Sequence, residues 1–489
     1  MMSISGSAKV KVIAGIFVLL LGASFCIVNK ADAFAVVGTT GTADANGVSK
    51  DRHLVMFDRM MVEVYREADA FTIGNGSTSR GKGPIKIRKS SDGYTWVEAL
   101  SNPTAIETLL VGKHFFLAKN SSDSADRNLY LVYSANDAAD SIGVCGLPTG
   151  SSGGVYFTEL TYDANTELWT FQTPIIQVND PSKWWDTYDS WRSMTCPGVN
   201  YTFHSESEPK PQIWVEGTNA WILYDLRVRD EGAVGNDYTY LRMKTYTRSV
   251  SGWNSTPDKI RDIAYFQNRA SVSFDDRTPR NFVYSAIVQD PENANNFSVL
   301  VTVDLPNTNG GGESTYEPNV AGTGYLSTAY SACTVGGSPC YSGVTINRPL
   351  GRIVVEKNLN CGRDPAVGGA PTCSATAIAD PSIPYPAANF SAITQGTSLR
   401  VVYPFISAGD PHIRQAAAVG GVWAYTDMSV AGNFTLTTEM FPVIGGEGTD
   451  YWIVGATKVG PNRFIEYRKF NSGNAPIYPA SGIGTVNEG

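Results

Sequence analysis

The chain has 489 residues, of which 42% are hydrophobic and 17% charged, and a formal net charge of −8. No basic tract offsets the acidic balance, which argues against nucleic acid and anionic membrane surfaces as partners. Gly, Tyr, Thr, Ser and Val are frequent and no long amphipathic helical segment occurs, so the composition points to an all-β chain.

In chain order, the first signal is one of processing. Lys9 and Lys11 precede an apolar run from Val12 to Val28, and "KADA" places small residues at Ala31 and Ala33. This is the pattern of a secretory signal peptide, residues 1–33, cleaved after Ala33. An uncleaved anchor is the alternative, because the run approaches the length of a membrane span. Removing Lys9, Lys11, Lys30 and Asp32 takes away a net +2 and leaves residues 34–489 at −10. No later stretch is long and apolar enough to span a bilayer, so the expected location is secreted, periplasmic or cell surface.

Two kinds of strand-like segment then alternate. Hairpins read as strand, polar turn, aromatic and return strand: "IKIRKSSDGYTWVEAL" with Trp96, "VYFTELTYDANTELWTFQTP" with Trp169, "YLRMKTYTRSVSGWNST" with Trp253, and "VWAYTDMSVAGNFTLTTEMF" with Phe434 in the aromatic position. Short β-branched and aromatic runs lie between them: "HLVMFDR", "NLYLVYSA", "NAWILYDLR", "RNFVYSAIV" and "SLRVVYPFIS". Tandem antiparallel units that cannot bury their faces alone predict a β-propeller. The expectation is about six blades, with five to seven open, each a four-stranded antiparallel sheet. The C-terminal "YWIVGATKVGPNRFIEYRKF" is expected to share a blade with a strand near Phe34–Thr39. Between 307 and 380 the rhythm fails, and this region reads as one blade carrying disulfide-stapled insertions, a small separate domain being the alternative.

After export six cysteines remain, Cys145, Cys196, Cys333, Cys340, Cys361 and Cys373. Proximity pairs Cys333 with Cys340 and Cys361 with Cys373, leaving Cys145 for Cys196, out of 15 possible connectivities. No C-x-x-C pair occurs, so metal ligation is the weaker reading.

The stretch Ser90, Asp92, Gly93, Thr95 and Trp96 resembles the Asp-box, Ser-x-Asp-x-Gly-x-Thr-Trp, of the sialidase-like (Asp-box/BNR) propeller superfamily, one residue short between Asp and Gly. "TYDANTELW" is a looser echo. The resemblance implies a propeller whose box sits on an outer hairpin away from the active site, so it marks fold rather than chemistry. The arginine triad and the early Arg-Ile-Pro of sialidases are not found here, which speaks against sialidase activity.

Two sets of residues carry the functional expectations. "PSKWWDTYDSWRSMTCPG" gathers Trp184, Trp185, Tyr188, Trp191 and Arg192, with Asp186 and Asp189 interleaved. Aromatic faces stack on sugar C–H surfaces while carboxylates and Arg bind hydroxyls; the alternative is a loop that buries its own tryptophans. The other set is polar residues expected on channel-lining strands: Asp58 in "MFDRM", Asp225, Arg227 and Arg229 in "WILYDLRVRD", and Glu466 and Arg468 in "FIEYRKF". Glycoside hydrolysis needs two carboxyl groups about 5–10 Å apart, which different blades would supply; each such residue alone is otherwise a structural ion pair. "GSTSRGKG" and "GSSGG" read as flexible loops, since neither a phosphate-binding loop nor a nucleophile elbow has its strand and helix context. No cofactor is expected, with Ca²⁺ at Asp186 and Asp189 the one ion the acids suggest. The expectation is therefore a secreted propeller that binds, and in one version hydrolyses, a saccharide or surface glycan; the alternative is a non-catalytic surface scaffold or adhesion module.

Overall fold

A computed structural model describes residues 54–57, 60–66, 85–91, 95–104, 114–135, 154–172, 174–180, 183, 186, 209–230, 236–269, 281–304, 334–335, 338–339, 350–368, 371–378, 390–407, 410–428, 442–447, 449–459, 462–478 and 484–487. They form six antiparallel sheets arranged in a ring, a six-bladed β-propeller.

Sheet 1 is β1 (Leu54–Phe57), β2 (Met60–Arg66), β3 (Ile85–Ser90) and β4 (Val97–Glu98). Sheet 2 is β5 (Phe115–Lys119), β6 (Leu129–Ala135) and β7 (Gly154–Asp163), whose outer edge is shared by β8 (Leu168–Phe171) and β9 (Ile176–Gln177). Sheet 3 repeats this plan with β10 (Gln212–Glu216), β11 (Asn219–Asp230), β12 (Asn236–Ser249), β13 (Gly252–Trp253) and β14 (Lys259–Arg269). Sheet 4 comprises β15 (Asn281–Gln289), β16 (Asn296–Asp304), β19 (Leu350–Glu356) and β20 (Ser374–Ala377), with the small hairpin β17 (Thr334–Val335) and β18 (Ser338–Pro339) inserted in sequence between its second and third strands. Sheet 5 is β21 (Ser391–Gln395), β22 (Ser398–Ser407), β23 (Asp410–Val419) and β24 (Val422–Asp427). Sheet 6 is β25 (Val443–Glu447), β26 (Asp450–Val459), β27 (Asn462–Phe470), β28 (Pro476–Tyr478) and β29 (Gly484–Asn487).

The first strand of each sheet lies beside the first strand of the next, from β1 through β5, β10, β15 and β21 to β25. The first strands therefore form the inner ring. The period-2 alternation of each strand supplies two apolar faces, one for each neighbour. The result is a series of cores between sheets rather than one centre. Val55, Val62 and Ile87 of sheet 1 meet Leu117, Leu131 and Leu160 of sheet 2. Val132 and Phe157 of sheet 2 meet Ile213, Ile222 and Tyr246 of sheet 3. Leu223 and Met243 meet Val299 and Ile353 of sheet 4. Leu300 meets Leu399 and Val401 of sheet 5, and Val402 and Ile413 meet Ile453 and Phe470 of sheet 6. Full burial of such a side chain contributes about 1.5–3 kcal/mol.

The aromatic that opens an outer strand locks the sheets together. Trp169 is buried, stacks on Phe57 of sheet 1 at 6.0 Å between centroids, and donates its indole N–H to Arg127 O at 2.7 Å. Trp253 meets Phe157 of sheet 2 edge-on at 5.3 Å and donates to Glu159 Oε2 at 2.8 Å. In sheet 5 this place belongs to Trp423, not to the expected Phe434, which lies outside the described residues. The sheet-5 hairpin turns at Gly420 and Gly421, both at positive φ (59° and 76°), a two-residue turn that a side chain would strain. The sequence reading started that hairpin one strand too late.

Of the three expected disulfides, Cys361–Cys373 is present and closes the segment between β19 and β20. Cys145, Cys196, Cys333 and Cys340 lie outside the described residues, as do Phe34–Thr39. Sheet 6 draws all of its described strands from the C-terminal stretch.

Candidate functional site

Strand order alone divides the ring into two rims. Because consecutive strands of a sheet run antiparallel, connections after first and third strands emerge on one rim, and those after second and fourth strands on the other. The first rim is made mostly of short turns, such as 217–218, 250–251, 396–397, 420–421 and 448–449. Its long connection, 357–373, is the one the Cys361–Cys373 disulfide staples. The second rim carries 67–84, 136–153, 178–211, 270–280, 305–349, 378–390 and 428–442. Function concentrates on loops held by a rigid scaffold, so the second rim is the candidate functional face.

The tight rim is tethered from sheet to sheet. Lys119 of sheet 2 donates to Met56 O of sheet 1 at 2.8 Å. Asn120 Oδ1 accepts from Gly217 N of sheet 3 at 3.0 Å. Glu216 of sheet 3 pairs with Lys357 of sheet 4. Thr394 of sheet 5 donates to Gln289 O of sheet 4, and Gln395 to Asp450 O of sheet 6. The charged residues of the described first strands, Lys119, Glu216 and Glu447, all end their strands at this rim.

The connection 178–211, which contains the Trp-rich sequence, leaves and returns at the loop-rich rim and is clamped near both ends. Near its start, Asp186 is fully buried among groups of sheet 3. Its Oδ1 accepts from Arg242 at 2.8 Å and from Tyr224 OH at 2.9 Å; its Oδ2 accepts from Asp180 N at 2.7 Å and from Lys244 Nζ. Lys244 also donates to Val178 O at 2.6 Å. At the end of the connection, Asp225 Oδ1 accepts from Lys210 N at 2.7 Å, and Oδ2 pairs with Lys210 Nζ at 3.1 Å.

The Asp186 cluster extends outward. Arg242 Nε donates to Asp262 Oδ1 at 2.8 Å, and Arg363 Nε lies 3.3 Å from Asp262 Oδ2. Arg363 belongs to the stapled segment of sheet 4, whose backbone bonds Asp262 in both directions at 2.9 Å. Gly362 is required at this approach, because a Cβ would stand 2.5 Å from Arg261 Cβ. Burial pulls the Arg242 guanidinium down, but the carboxylate of Asp262 above all holds its pKa above the ordinary value. Burial lowers the Lys244 pKa against the opposing pull of Asp186, and burial raises the Tyr224 hydroxyl far above its usual range. A buried ion network of this kind is weak evidence for net stability, but removing one member leaves its partners uncompensated. Its role here is to fix a path for the chain.

The expected site residues distribute as follows. Trp184, Trp185, Tyr188, Asp189, Trp191 and Arg192 lie outside the described residues, flanking the anchored Asp186. Asp186, expected as a ligand-facing or Ca²⁺-binding acid, is committed to Arg242, Lys244 and Tyr224. Asp225 sits on the second strand of sheet 3 rather than on an inner strand, and Glu466 on the third strand of sheet 6. Asp58, which lies between β1 and β2 in the sequence, is outside the described residues. The side chains of Arg227, Arg229 and Glu466 are also outside them. Alternation along a strand told which residues share a face, but not which place the strand takes in its sheet. Of the Asp-box residues, Ser90 is buried on β3 and Trp96 half-buried, while Asp92 and Gly93 are not described.

The sequence reading missed Arg242, Lys244, Asp262 and Arg363. One signal was available: "YLRMKTY" sets Arg242 and Lys244 two apart between Tyr240 and Tyr246, on the same strand face as these buried aromatics. Two cations on an aromatic face need buried carboxylates. Burial also raises the carboxyl pKa of Glu63 and of Glu159. The two lie on different sheets, and Glu159 is occupied by Arg248, Trp253 and Asn128 at 2.8–2.9 Å.

No family model matches the chain, and no curated protein matches it. Among solved structures, a puromycin-hydrolyzing peptidase of Mycobacterium tuberculosis aligns at 9% identity and a TM-score of 0.34, over 94% of this chain and 56% of that one. The endosialidase of phage phi92 aligns at 10% identity and 0.34, over 94% and 59%. An α-L-arabinanase of Cellvibrio cellulosa aligns at 10% identity and 0.26, over 89% and 95%. The chain thus spans less than two thirds of the first two, and no residue role carries over from any of the three.

Proposed function

We propose that this chain is an exported propeller that binds saccharides through its loop-rich rim, with Trp184, Trp185, Tyr188, Trp191 and Arg192 as contact residues. The observation that carries the reading is the double clamp on the connection 178–211. Four aromatics and an arginine lie within nine residues of sequence on both sides of the anchored Asp186, and the connection is fixed again at the Lys210–Asp225 pair. Preorganisation of an aromatic platform lowers the ordering cost of binding. Asp186 is a positioning residue in this reading, since its oxygens are taken up by protein donors.

Binding without hydrolysis is the version we favour. Hydrolysis needs a convergent carboxyl pair, and Asp225 is spent on Lys210. Glu466 stands on the third strand of its sheet rather than the inner one, and Asp58 lies outside the described residues. A second reading, a non-catalytic surface scaffold, is favoured by the inner strands, which carry exposed apolar side chains at Leu54, Met56 and Val443 and charges only at their tight-rim ends.

The test is a broad glycan array probed with the chain from Phe34 onward and with a Trp184→Ala/Trp185→Ala/Trp191→Ala variant. Saccharide binding by the parent and its loss in the variant supports the platform. No binding by a folded parent moves the function to the scaffold reading.

A further inference from the structure

β14 lies on the outer edge of sheet 3, and the stapled segment of sheet 4 covers it. Asp262 and Arg363 exchange backbone hydrogen bonds at 2.9 Å in both directions. Lys259 Nζ donates to Asn358 O at 2.6 Å and to Asn360 Oδ1 at 2.8 Å, and Arg261 pairs with Asp364 at 3.1 Å. The disulfide holds the segment from the other side: Cys373 is buried in the core between sheets 3 and 4, with Cys361 packed against that core.

The pairing of β14 with β12 shifts by one residue at this point. Leu241 faces Ala264 but Arg242 faces Asp262, so Ile263 is an extra residue on β14. Without this bulge Ile263 would oppose Arg242; with it, Asp262 does. Bulges re-aim side chains in this way. The result is an unbroken file of alternating charge. Arg363 Nε lies 3.3 Å from Asp262 Oδ2. Arg242 donates to Asp262 Oδ1 through Nε and to Asp186 Oδ1 through Nη1, both at 2.8 Å, and Lys244 pairs with Asp186 Oδ2. The side chains of Asp262, Arg242 and Asp186 are fully buried. One guanidinium thus takes its orientation from two carboxylates, one on sheet 3 and one on the connection 178–211. The ring of Tyr240 lies against both arginines, its centroid 5.3 Å from Arg242 Cζ and 5.1 Å from Arg363 Cζ.

We propose that Arg363, held in place by the Cys361–Cys373 staple, is a positioning residue for the Trp-rich connection and acts on it from the opposite rim through Asp262, Arg242 and Asp186. Loss of its charge leaves Asp262 Oδ2 without the cation beside it. In a water-poor interior that carboxylate then turns on Arg242, and the guanidinium that spanned two acids follows one of them. Asp186 loses a fixed partner, and the connection loses its path. Such coupling runs through a contiguous network that has more than one arrangement. It is also reciprocal, so a change at Asp186 is felt at Arg363. The purpose of the device rests on the saccharide reading; its test does not, because the coupling is read at the clamp itself.

The test is hydrogen exchange of the full chain, read by mass spectrometry, with sheets 1 and 6 as folding controls. The amides of Asp180 and Asp186, which bond Asp186 Oδ2 and Lys183 O, are expected to exchange about tenfold faster in Arg363→Met. That variant keeps the backbone bonds to Asp262 and removes only the charge. Cys361→Ser/Cys373→Ser is expected to do the same, and combining it with Arg363→Met to add nothing, since both act through one side chain. Arg363→Lys restores most of the protection. Asp186→Asn speeds exchange of the Arg363 amide in return. Unchanged Asp180 and Asp186 amides in Arg363→Met overturn the proposal. So do additive effects of the two variants, which would give the staple another route to the connection, and equal loosening of sheets 1 and 6, which would make the effect one of global stability. A glycan array without binding removes the saccharide reading and leaves these exchange rates as they are, so the two fail separately.

Discussion

The two rims of the ring are built from the same strands and by opposite means. The tight rim closes each pair of strands in a few residues and ties each sheet to its neighbour through Lys119, Asn120, Glu216, Thr394 and Gln395. Its one long connection is stapled by Cys361–Cys373 and pinned to sheet 3 through Arg363 and Asp262. The loop-rich rim spends its length on connections of many residues and fixes the Trp-rich one by buried charges, Asp186 on Arg242 and Lys244. Short turns satisfy their backbone locally and need little else. A long connection must be anchored by side chains, because loop closure alone does not select one path. The β3–β4 connection and the disulfide belong to the tight rim; the connection that contains the Trp-rich sequence belongs to the loop-rich rim.

The contrast can be broken at several points. The largest effect is expected at Asp186→Ala, which leaves Arg242 and Lys244 buried without their carboxylate and costs about 3–5 kcal/mol. Urea denaturation measures it, and a loss under about 1 kcal/mol would mean that the loop-rich rim is not held this way. Trp169→Ala tests the opposite rim: removing a fully buried indole costs about 3–5 kcal/mol and leaves saccharide binding by the folded fraction unchanged. Loss of binding there without loss of stability would contradict the division of labour.

Next comes Cys361→Ser/Cys373→Ser. Opening a loop of this size costs about 3 kcal/mol, and release of Arg363 from Asp262 should speed proteolysis between β19 and β20. Unchanged proteolysis would show the staple to be redundant. The Trp184→Ala/Trp185→Ala/Trp191→Ala variant is expected within about 1 kcal/mol of the parent in stability while losing saccharide binding. A large destabilisation would instead make those tryptophans core residues.

The smallest effect concerns pH. Burial raises the Glu63 carboxyl above its ordinary value of 4.5. The native state then keeps a proton that the unfolded chain has lost, so the contribution is present below the ordinary value and is lost as pH rises through the raised one. Glu63→Gln should therefore be more stable than the parent at neutral pH and level with it in acid. Thermal melts at both pH values decide this, and equal melts at neutral pH would remove Glu63 from the account.

Much of this was legible beforehand. Period-2 alternation, the turn residues and the recurrent Trp96, Trp169 and Trp253 determined an all-β ring of repeated sheets, because strand pattern and turn chemistry are local properties. Cys361 and Cys373 were readable as a pair because 12 residues of Gly/Pro-rich chain bring them together. The sequence also flagged the Trp-rich stretch by its composition. What only the tertiary structure decided was the place of each strand within its sheet, and therefore that Asp225 and Glu466 do not stand on the inner ring. It also decided the partners of Asp186. Tyr224, Arg242 and Lys244 are 38, 56 and 58 positions away in the chain, and no local pattern encodes a meeting that depends on how the connection folds onto sheet 3. Pairing between distant charges is a property of the closed ring, since the low-dielectric space between sheets that makes it matter exists only once the sheets have packed.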